Sequence, residues 1–258
     1  MQYRELGKTG IRVSLLGLGA VKFGRTEGLK YPTASMLPSM RDLTNLLATA
    51  RDLGINLIDT APAYGVSEER LGTLLSERRN HWVVCTKVGE TFENGRSHHD
   101  FSPEHTLASV RRSLRRLATD RIDVVLVHSD GNDRDIIEKH GTLQALEQLK
   151  QEGLIRAFGI SHKSVAGGML AVDRCDVVMA TLNVDHQDEL PVIELARARR
   201  CGVLIKKALD SGDAARDPQR RTRSLEFAAH TPGVSCIVVG TTDSDHLLEN
   251  VNVLCAVR

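Results

Sequence analysis

Residues 56–87, NLIDTAPAYGVSEERLGTLLSERRNHWVVCTK, contain two apolar runs that end on polar side chains. The first run ends on Asp59, and Tyr64 follows in a short turn. After a segment with helical character, the second run, residues 82–85, leads to Lys87. In parallel α/β folds, functional sites form at the carboxyl ends of the strands. We therefore expect an acid, a phenol and an amine on the same rim of a parallel sheet.

About eight apolar runs recur along the chain, and segments with helical periodicity separate them. They cover residues 15–18, 55–58, 82–85, 122–127, 155–160, 177–182, 203–205 and 236–239. The runs are continuously apolar rather than alternating, which is typical of parallel strands covered on both faces. Eight such strands predict an α/β fold, a closed TIM (β/α)8 barrel.

The segment before the first barrel strand predicts a small hairpin over residues 3–13, with its turn at residues 7–10. Such a hairpin would cap the bottom, or N-terminal end, of the barrel. An open doubly wound sheet is the alternative architecture. It would need a glycine-rich phosphate turn, and residues 17–22, GLGAVK, lack the third glycine. We expect residues 1–258 to form a single barrel domain.

The composition limits the classes of function. The chain has 34 basic and 33 acidic residues, a formal net charge of +1, so no basic excess suggests nucleic acid as a partner. No apolar run approaches the ~20 residues of a membrane helix, and the start, MQYRELGKTG, has no apolar signal segment. None of the five cysteines forms a CxxC pair, which favours reduced thiols and a cytoplasmic protein.

A fourth polar side chain, His128, ends the apolar run at residues 122–127. Neighbouring strands lie ~4.8 Å apart, so Asp59, Tyr64, Lys87 and His128 can converge on one carbonyl-sized volume. A free phenol has a pKa near 10, and an adjacent ammonium would lower it. Each residue alone is more often a cap, a packing group or a core side chain. Together they suit protonation of an oxyanion as hydride arrives at carbon.

The segments GINLIDTAPAYG, VVCTKVG and IDVVLVHSD resemble the aldo-keto reductase superfamily, TIM barrels that reduce carbonyls with NAD(P)H. The resemblance extends from YRELGKTGIRVSLLGLG to IVVGTTDSDHLLENV. It places the family's catalytic tetrad on Asp59, Tyr64, Lys87 and His128. It implies that Tyr64 is the acid–base catalyst, that Lys87 and Asp59 tune it, and that His128 orients the carbonyl.

The resemblance also implies a dinucleotide site, mainly in the loops after strands 7 and 8. Lys206 stands where many members carry an aromatic residue that stacks on nicotinamide. Thr242 stands where a basic residue often holds the 2′-phosphate, and acidic neighbours would repel that phosphate. The family cofactor is NADPH, and NADH is the alternative. The implied cofactor residues are Gly19, Ala20, Asp59, Ser161, Asn183, Lys206, Lys207, Ala208, Leu209, Ser211, Gly240, Thr241, Thr242, His246, Glu249 and Asn250.

The substrate side of the sequence is sparse. Family members with large substrate pockets usually carry a long C-terminal loop, whereas this sequence ends at Arg258. The resemblance therefore implies a shallow, open pocket for a small carbonyl, bordered by Phe23, Phe92 and a loop at residues 130–141. Phe23 and Phe92 could equally be core residues. His98 and His99 are adjacent, which is a poor geometry for chelation, so we expect no metal site.

Two other functions stay open at this point. Lys87 could form a Schiff base in a lyase, or the chain could be a cofactor-binding regulatory subunit with little turnover. The sequence does not predict an oligomeric state, because no exposed apolar stripe stands out.

Overall fold

The computed structural model describes residues 1–28, 36–212 and 214–256. The chain begins with an antiparallel hairpin of β1 (Tyr3–Glu5) and β2 (Arg12–Ser14). Eight parallel strands then close a barrel in the order in which they follow one another in the chain. They are β3 (Leu16–Gly19), β4 (Leu57–Asp59), β5 (Val83–Val88), β8 (Ile122–His128), β9 (Ile155–Ser161), β10 (Val177–Thr181), β11 (Gly202–Lys206) and β12 (Cys236–Val239). The predicted TIM barrel is confirmed.

Helices cover the outside of the barrel. They are α1 (Val21–Gly24), α2 (Met40–Asp52), α3 (Ser67–Leu75), α4 (Pro103–Arg116), α5 (Asp133–Glu138), α6 (Thr142–Gln151), α7 (Val165–Val172), α8 (Leu190–Arg199), α9 (Pro218–His230) and α10 (Ser244–Ala256). Their starts follow local chemistry. The Ser102 hydroxyl accepts from the His105 N–H, and Pro103 occupies the first turn of α4. No helix in the described ranges is both long and apolar enough to span a bilayer.

The N-terminal hairpin closes the bottom of the barrel, as expected. Leu6, Ile11 and Val13 are buried and pack in one cluster with side chains from inside the barrel, including Leu57 and Leu204. The Asn56 side chain accepts from the Ser14 N–H and donates to the Arg12 carbonyl, which ties the hairpin to β4. A separate and larger apolar layer lies between the strands and the helices. Apolar packing therefore covers both the bottom of the barrel and the outer faces of its strands.

The structure adds to the sequence analysis at three points. Residues 130–141 are not a plain loop, because they contain α5. Phe23 is fully buried and is a core residue, whereas Phe92 is partly exposed beneath the Arg25 guanidinium, 3.4 Å from its ring centroid. A second hairpin, β6 (Glu90–Glu93) and β7 (Arg96–His99), follows β5 and was not predicted. Its Asn94–Gly95 turn, with both residues at positive φ, is the common sequence signal for such a hairpin.

Candidate active site

The four tetrad residues meet on the upper rim of the barrel. Asp59 ends β4, Lys87 lies near the end of β5, and His128 ends β8. Tyr64 lies in the turn between β4 and α3, where its N–H donates to the Ala61 carbonyl. Gly24 packs against this turn so closely that a Cβ there would lie 2.3 Å from the Tyr64 carbonyl oxygen. The glycine therefore allows α1 to hold the tyrosine turn in place.

Lys87 and Asp59 form a buried ion pair at the centre of the site. Lys87 Nζ lies 2.7 Å from both Asp59 carboxylate oxygens and donates to the Thr60 carbonyl at 2.9 Å. Burial alone would lower the pKa of Lys87, but the Asp59 carboxylate and the Tyr64 phenol outweigh it and raise that pKa above its ordinary value. Lys87 is therefore a fixed ammonium, 4.9 Å from the centroid of the Tyr64 ring.

Tyr64 behaves differently from the sequence-based expectation. Burial raises its pKa and the Asp59 carboxylate raises it further, and together they outweigh the lowering by Lys87. The expected net lowering by the adjacent ammonium was therefore wrong for this state of the molecule. The phenol is neutral near neutral pH and carries a proton that it can donate.

His128 lies beside Tyr64, with their rings edge to face and their centroids 6.2 Å apart. Burial lowers the pKa of His128, although the Glu90 carboxylate acts in the opposite direction. Glu90 Oε2 lies 2.6 Å from His128 Nδ1. This close contact does not have the geometry of a hydrogen bond. Burial raises the pKa of Glu90, but His128 and the Ser97 hydroxyl lower it to about 2. Sequence reasoning missed Glu90, which the unpredicted second hairpin brings to the site.

A cleft of about 410 Å³ opens beside the tetrad and runs over the ends of β11, β12 and β3. Asp59 and Tyr64 line it, together with most of the other residues predicted to bind a cofactor. They are Gly19, Lys206, Lys207, Ala208, Leu209, Gly240, Thr241, His246 and Asn250.

The other predicted cofactor residues do not line this cleft in the described part of the chain. Ala20 is fully buried, and its N–H donates to the Asp59 carbonyl. Asn183 is also buried, and its amide donates to the Lys207 carbonyl at 2.9 Å, so it positions the loop after β11. Ser161 is buried against Lys206. Thr242 is half-buried and Glu249 is exposed, while the Ser211 side chain lies outside what the structure describes.

The Lys206 side chain extends into the protein rather than into solvent. Its ammonium nitrogen lies 3.0 Å from the Ser161 hydroxyl oxygen and contacts the His162 carbonyl, and the side chain also lines the cleft. Burial lowers its pKa to about 8, with the nearby lysines acting in the same direction and Glu189 opposing them. This position therefore carries an amine, whereas many members of the family carry an aromatic ring there.

Arg221 is a cleft residue that sequence reasoning missed. It extends from α9, and its Nη1 donates to Glu249 Oε2 at 2.6 Å. Its Nε is buried without a hydrogen-bond partner among the described residues, and the same holds for Asn250 Oδ1. Buried polar atoms without partners are rare, and they mark places where a ligand can complete the hydrogen bonding. No local sequence signal distinguishes Arg221 from the other arginines of α9.

No cluster of three metal-binding side chains occurs in residues 1–28, 36–212 and 214–256. His98 and His99 lie on the exposed strand β7, paired with Thr91 and Glu90 respectively across the hairpin.

Comparison with known proteins is consistent with this geometry. The aldo/keto reductase family model matches residues 15–220. A putative aldo-keto reductase from Pseudomonas aeruginosa superposes with a TM-score of 0.91 at 50% identity, covering 99% of this chain and 94% of that one. The holo form of an aldo-keto reductase from Bacillus halodurans gives a TM-score of 0.80 at 26% identity, over 98% and 91% of the two chains. The uncharacterized oxidoreductase YqkF of Bacillus subtilis is 29% identical over 301 residues, covering 100% of this chain and 92% of that protein.

Proposed function

The chain belongs to the aldo/keto reductase family of oxidoreductases, and from this we propose that it reduces small aldehydes and ketones to alcohols with NADPH. The observation that carries the proposal is the Tyr64 phenol, which lines the cleft and is held beside the buried Lys87–Asp59 ion pair. A proton donor, a fixed positive charge and a nucleotide-sized groove are the parts that carbonyl reduction requires.

The residues of the cleft fit a dinucleotide. Lys207 and Arg221 give it a cationic lining, and the His246 imidazole and the Thr241 side chain line the same cleft. The unpartnered Arg221 Nε and Asn250 Oδ1 would gain partners from a bound nucleotide. The nicotinamide of such a cofactor would supply the hydride. These cations would attract the phosphates that NADPH and NADH share, and NADPH is proposed because it is the cofactor that the family resemblance implies.

Tyr64 then supplies the proton. As hydride reaches the carbonyl carbon, negative charge develops on the oxygen, and the phenol transfers its proton to that oxygen. The phenolate that remains lies beside the Lys87 ammonium, which stabilises it more than it stabilises the neutral phenol. Asp59 keeps Lys87 charged and fixed, so no reorganisation is needed during the step. His128, whose ring lies edge to face with that of Tyr64, would orient the carbonyl oxygen toward the phenol.

The same geometry disfavours the Schiff-base function of Lys87. That amine is buried, ion-paired and protonated, so it has no free electron pair for attack on a carbonyl. A regulatory subunit that binds nucleotide without turnover remains the second candidate, because it would use the same cleft.

Tyr64→Phe tests the proposal. We expect it to lower kcat/KM for a panel of small aldehydes by ~10²–10⁴-fold, the usual contribution of a positioned general acid. NADPH affinity, followed by fluorescence titration, should change little. Tyr3→Phe is the matched control, since Tyr3 lies in the N-terminal hairpin and donates to the Gly54 carbonyl.

Unchanged turnover in Tyr64→Phe would contradict the proposal. Tight NADPH binding by the wild type with no turnover of any carbonyl would favour the regulatory subunit instead.

A further inference from the structure

Lys206 differs from Lys87 in its surroundings. Lys87 is paired with a carboxylate, whereas Lys206 makes no ion pair within 4.0 Å among residues 1–28, 36–212 and 214–256. Its nitrogen is held by two neutral oxygens, the Ser161 hydroxyl and the His162 carbonyl. The side chain nevertheless lines the open cleft beside Tyr64. A half-buried amine that has no counter-ion and lines a ligand cleft is an arrangement found at nucleophilic lysines.

Burial of Lys206 favours the neutral amine. Burial is the main cause that lowers its pKa to about 8; Lys207 and Lys87 lower it further, while Glu189 and Asp133 oppose them. A solvated lysine has a pKa of ~10.4, so near pH 8 the neutral fraction of Lys206 is on the order of 100-fold higher. A neighbouring cation that suppresses protonation is one of the known ways to activate a lysine.

We propose that Lys206 captures small aldehydes as an imine in the nucleotide-free protein. The Nζ lone pair attacks the carbonyl carbon, and a proton moves from nitrogen to oxygen to give a carbinolamine. Loss of water then leaves a C=N bond between Lys206 and the aldehyde, with no oxidant or reductant consumed. This step is independent of hydride transfer, so it holds whether or not the protein is a reductase.

The adduct would lie in the cleft that we assign to the nucleotide. Lys206 lines this cleft together with Tyr64, Ala208 and Leu209. An aldehyde bound there and a nucleotide in the same cleft exclude each other. Aldehyde in excess therefore inhibits by occupying the cofactor site covalently and reversibly.

Reductive trapping tests this proposal. The nucleotide-free protein is incubated at pH 8 with 4-carboxybenzaldehyde and cyanoborohydride, which converts an imine into a stable secondary amine. Intact mass and peptide mapping then locate the adduct. We expect Lys206 to be labelled at least tenfold faster than Lys207, its exposed neighbour in the same cleft, and NADPH to suppress the labelling at Lys206.

The variants Lys206→Arg and Lys207→Arg provide matched controls. Labelling at this site should disappear in the first and persist in the second. Equal labelling of Lys206 and Lys207 in the wild type would overturn the proposal, and so would labelling at Lys206 that NADPH leaves unchanged. The mapping on the wild type decides the matter even if Lys206→Arg does not fold. Failure of trapping would not affect the Tyr64-dependent reductase assay, so the two proposals are tested separately.

Discussion

Lys87→Met should destabilise the protein because it leaves the Asp59 carboxylate buried without a counter-ion. Both Asp59 oxygens lie 2.7 Å from Lys87 Nζ, and the two side chains are 7% and 2% exposed respectively. Breaking a buried ion pair by removing one partner costs ~3–5 kcal/mol of unfolding free energy. For a chain of this size, each kcal/mol lowers Tm by roughly 2–4 °C. We therefore expect Tm to fall by roughly 6–20 °C.

Urea unfolding at pH 7 measures the effect, and the single tryptophan, Trp82, is a buried fluorescent probe just before β5. The double variant Asp59→Asn/Lys87→Met should regain at least ~2 kcal/mol, since it no longer buries an unpaired charge. Lys150→Met is the matched control. Lys150 also lies 2.7 Å from an aspartate, Asp176, but its side chain is 33% exposed, so we expect a loss of ~1 kcal/mol or less.

The stabilisation of the folded state by Lys87 depends on pH in a defined direction. The pKa of Lys87 is raised in the folded state, so its stabilising effect is fully present below its unfolded pKa of ~10.4 and is lost only as the pH rises through the raised value. The difference between wild type and Lys87→Met should be constant from roughly pH 6 to 9. A loss below ~1 kcal/mol, or a double variant no more stable than the single one, would refute the reasoning.

Two other substitutions test the cleft and the second hairpin. Arg221→Met should weaken NADPH binding by ~10–100-fold in a fluorescence titration, because hydrogen bonds to charged groups contribute ~1.5–3 kcal/mol; the exposed Arg223→Met on the same helix should not. Glu90→Gln should lose roughly 2–3 kcal/mol at pH 7, because contact with His128 and Ser97 lowers the pKa of Glu90 to about 2. That difference should shrink as the pH falls from ~4.3 towards 2, and the exposed Glu93→Gln should show no such trend.

Each of these two predictions has an outcome that would contradict it. Equal NADPH affinity in Arg221→Met and Arg223→Met would place the nucleotide away from α9. A Glu90→Gln variant whose stability follows the wild type at every pH would mean that the contact with His128 contributes no net free energy.

The barrel could be predicted because each strand is recognisable on its own. Eight continuously apolar runs occur between segments of helical periodicity, and all eight appear as barrel strands with ends shifted by a few residues. The second hairpin was missed although its Asn94–Gly95 turn is a strong signal. Its strands are largely exposed and polar, so they lack the apolar pattern that identified the others.

The sequence by itself determined the barrel, the hairpin beneath it, and the placement of Asp59, Lys87 and His128 at the ends of successive strands. These features depend on residues close together in the chain, and the parallel topology then brings the strand ends to one rim. Only the tertiary structure decided the direction of the Tyr64 pKa, the Glu90–His128 contact, the unpartnered Arg221 nitrogen and the unpaired amine of Lys206. Burial and electrostatic interactions act through space between residues far apart in sequence, so no local pattern records them.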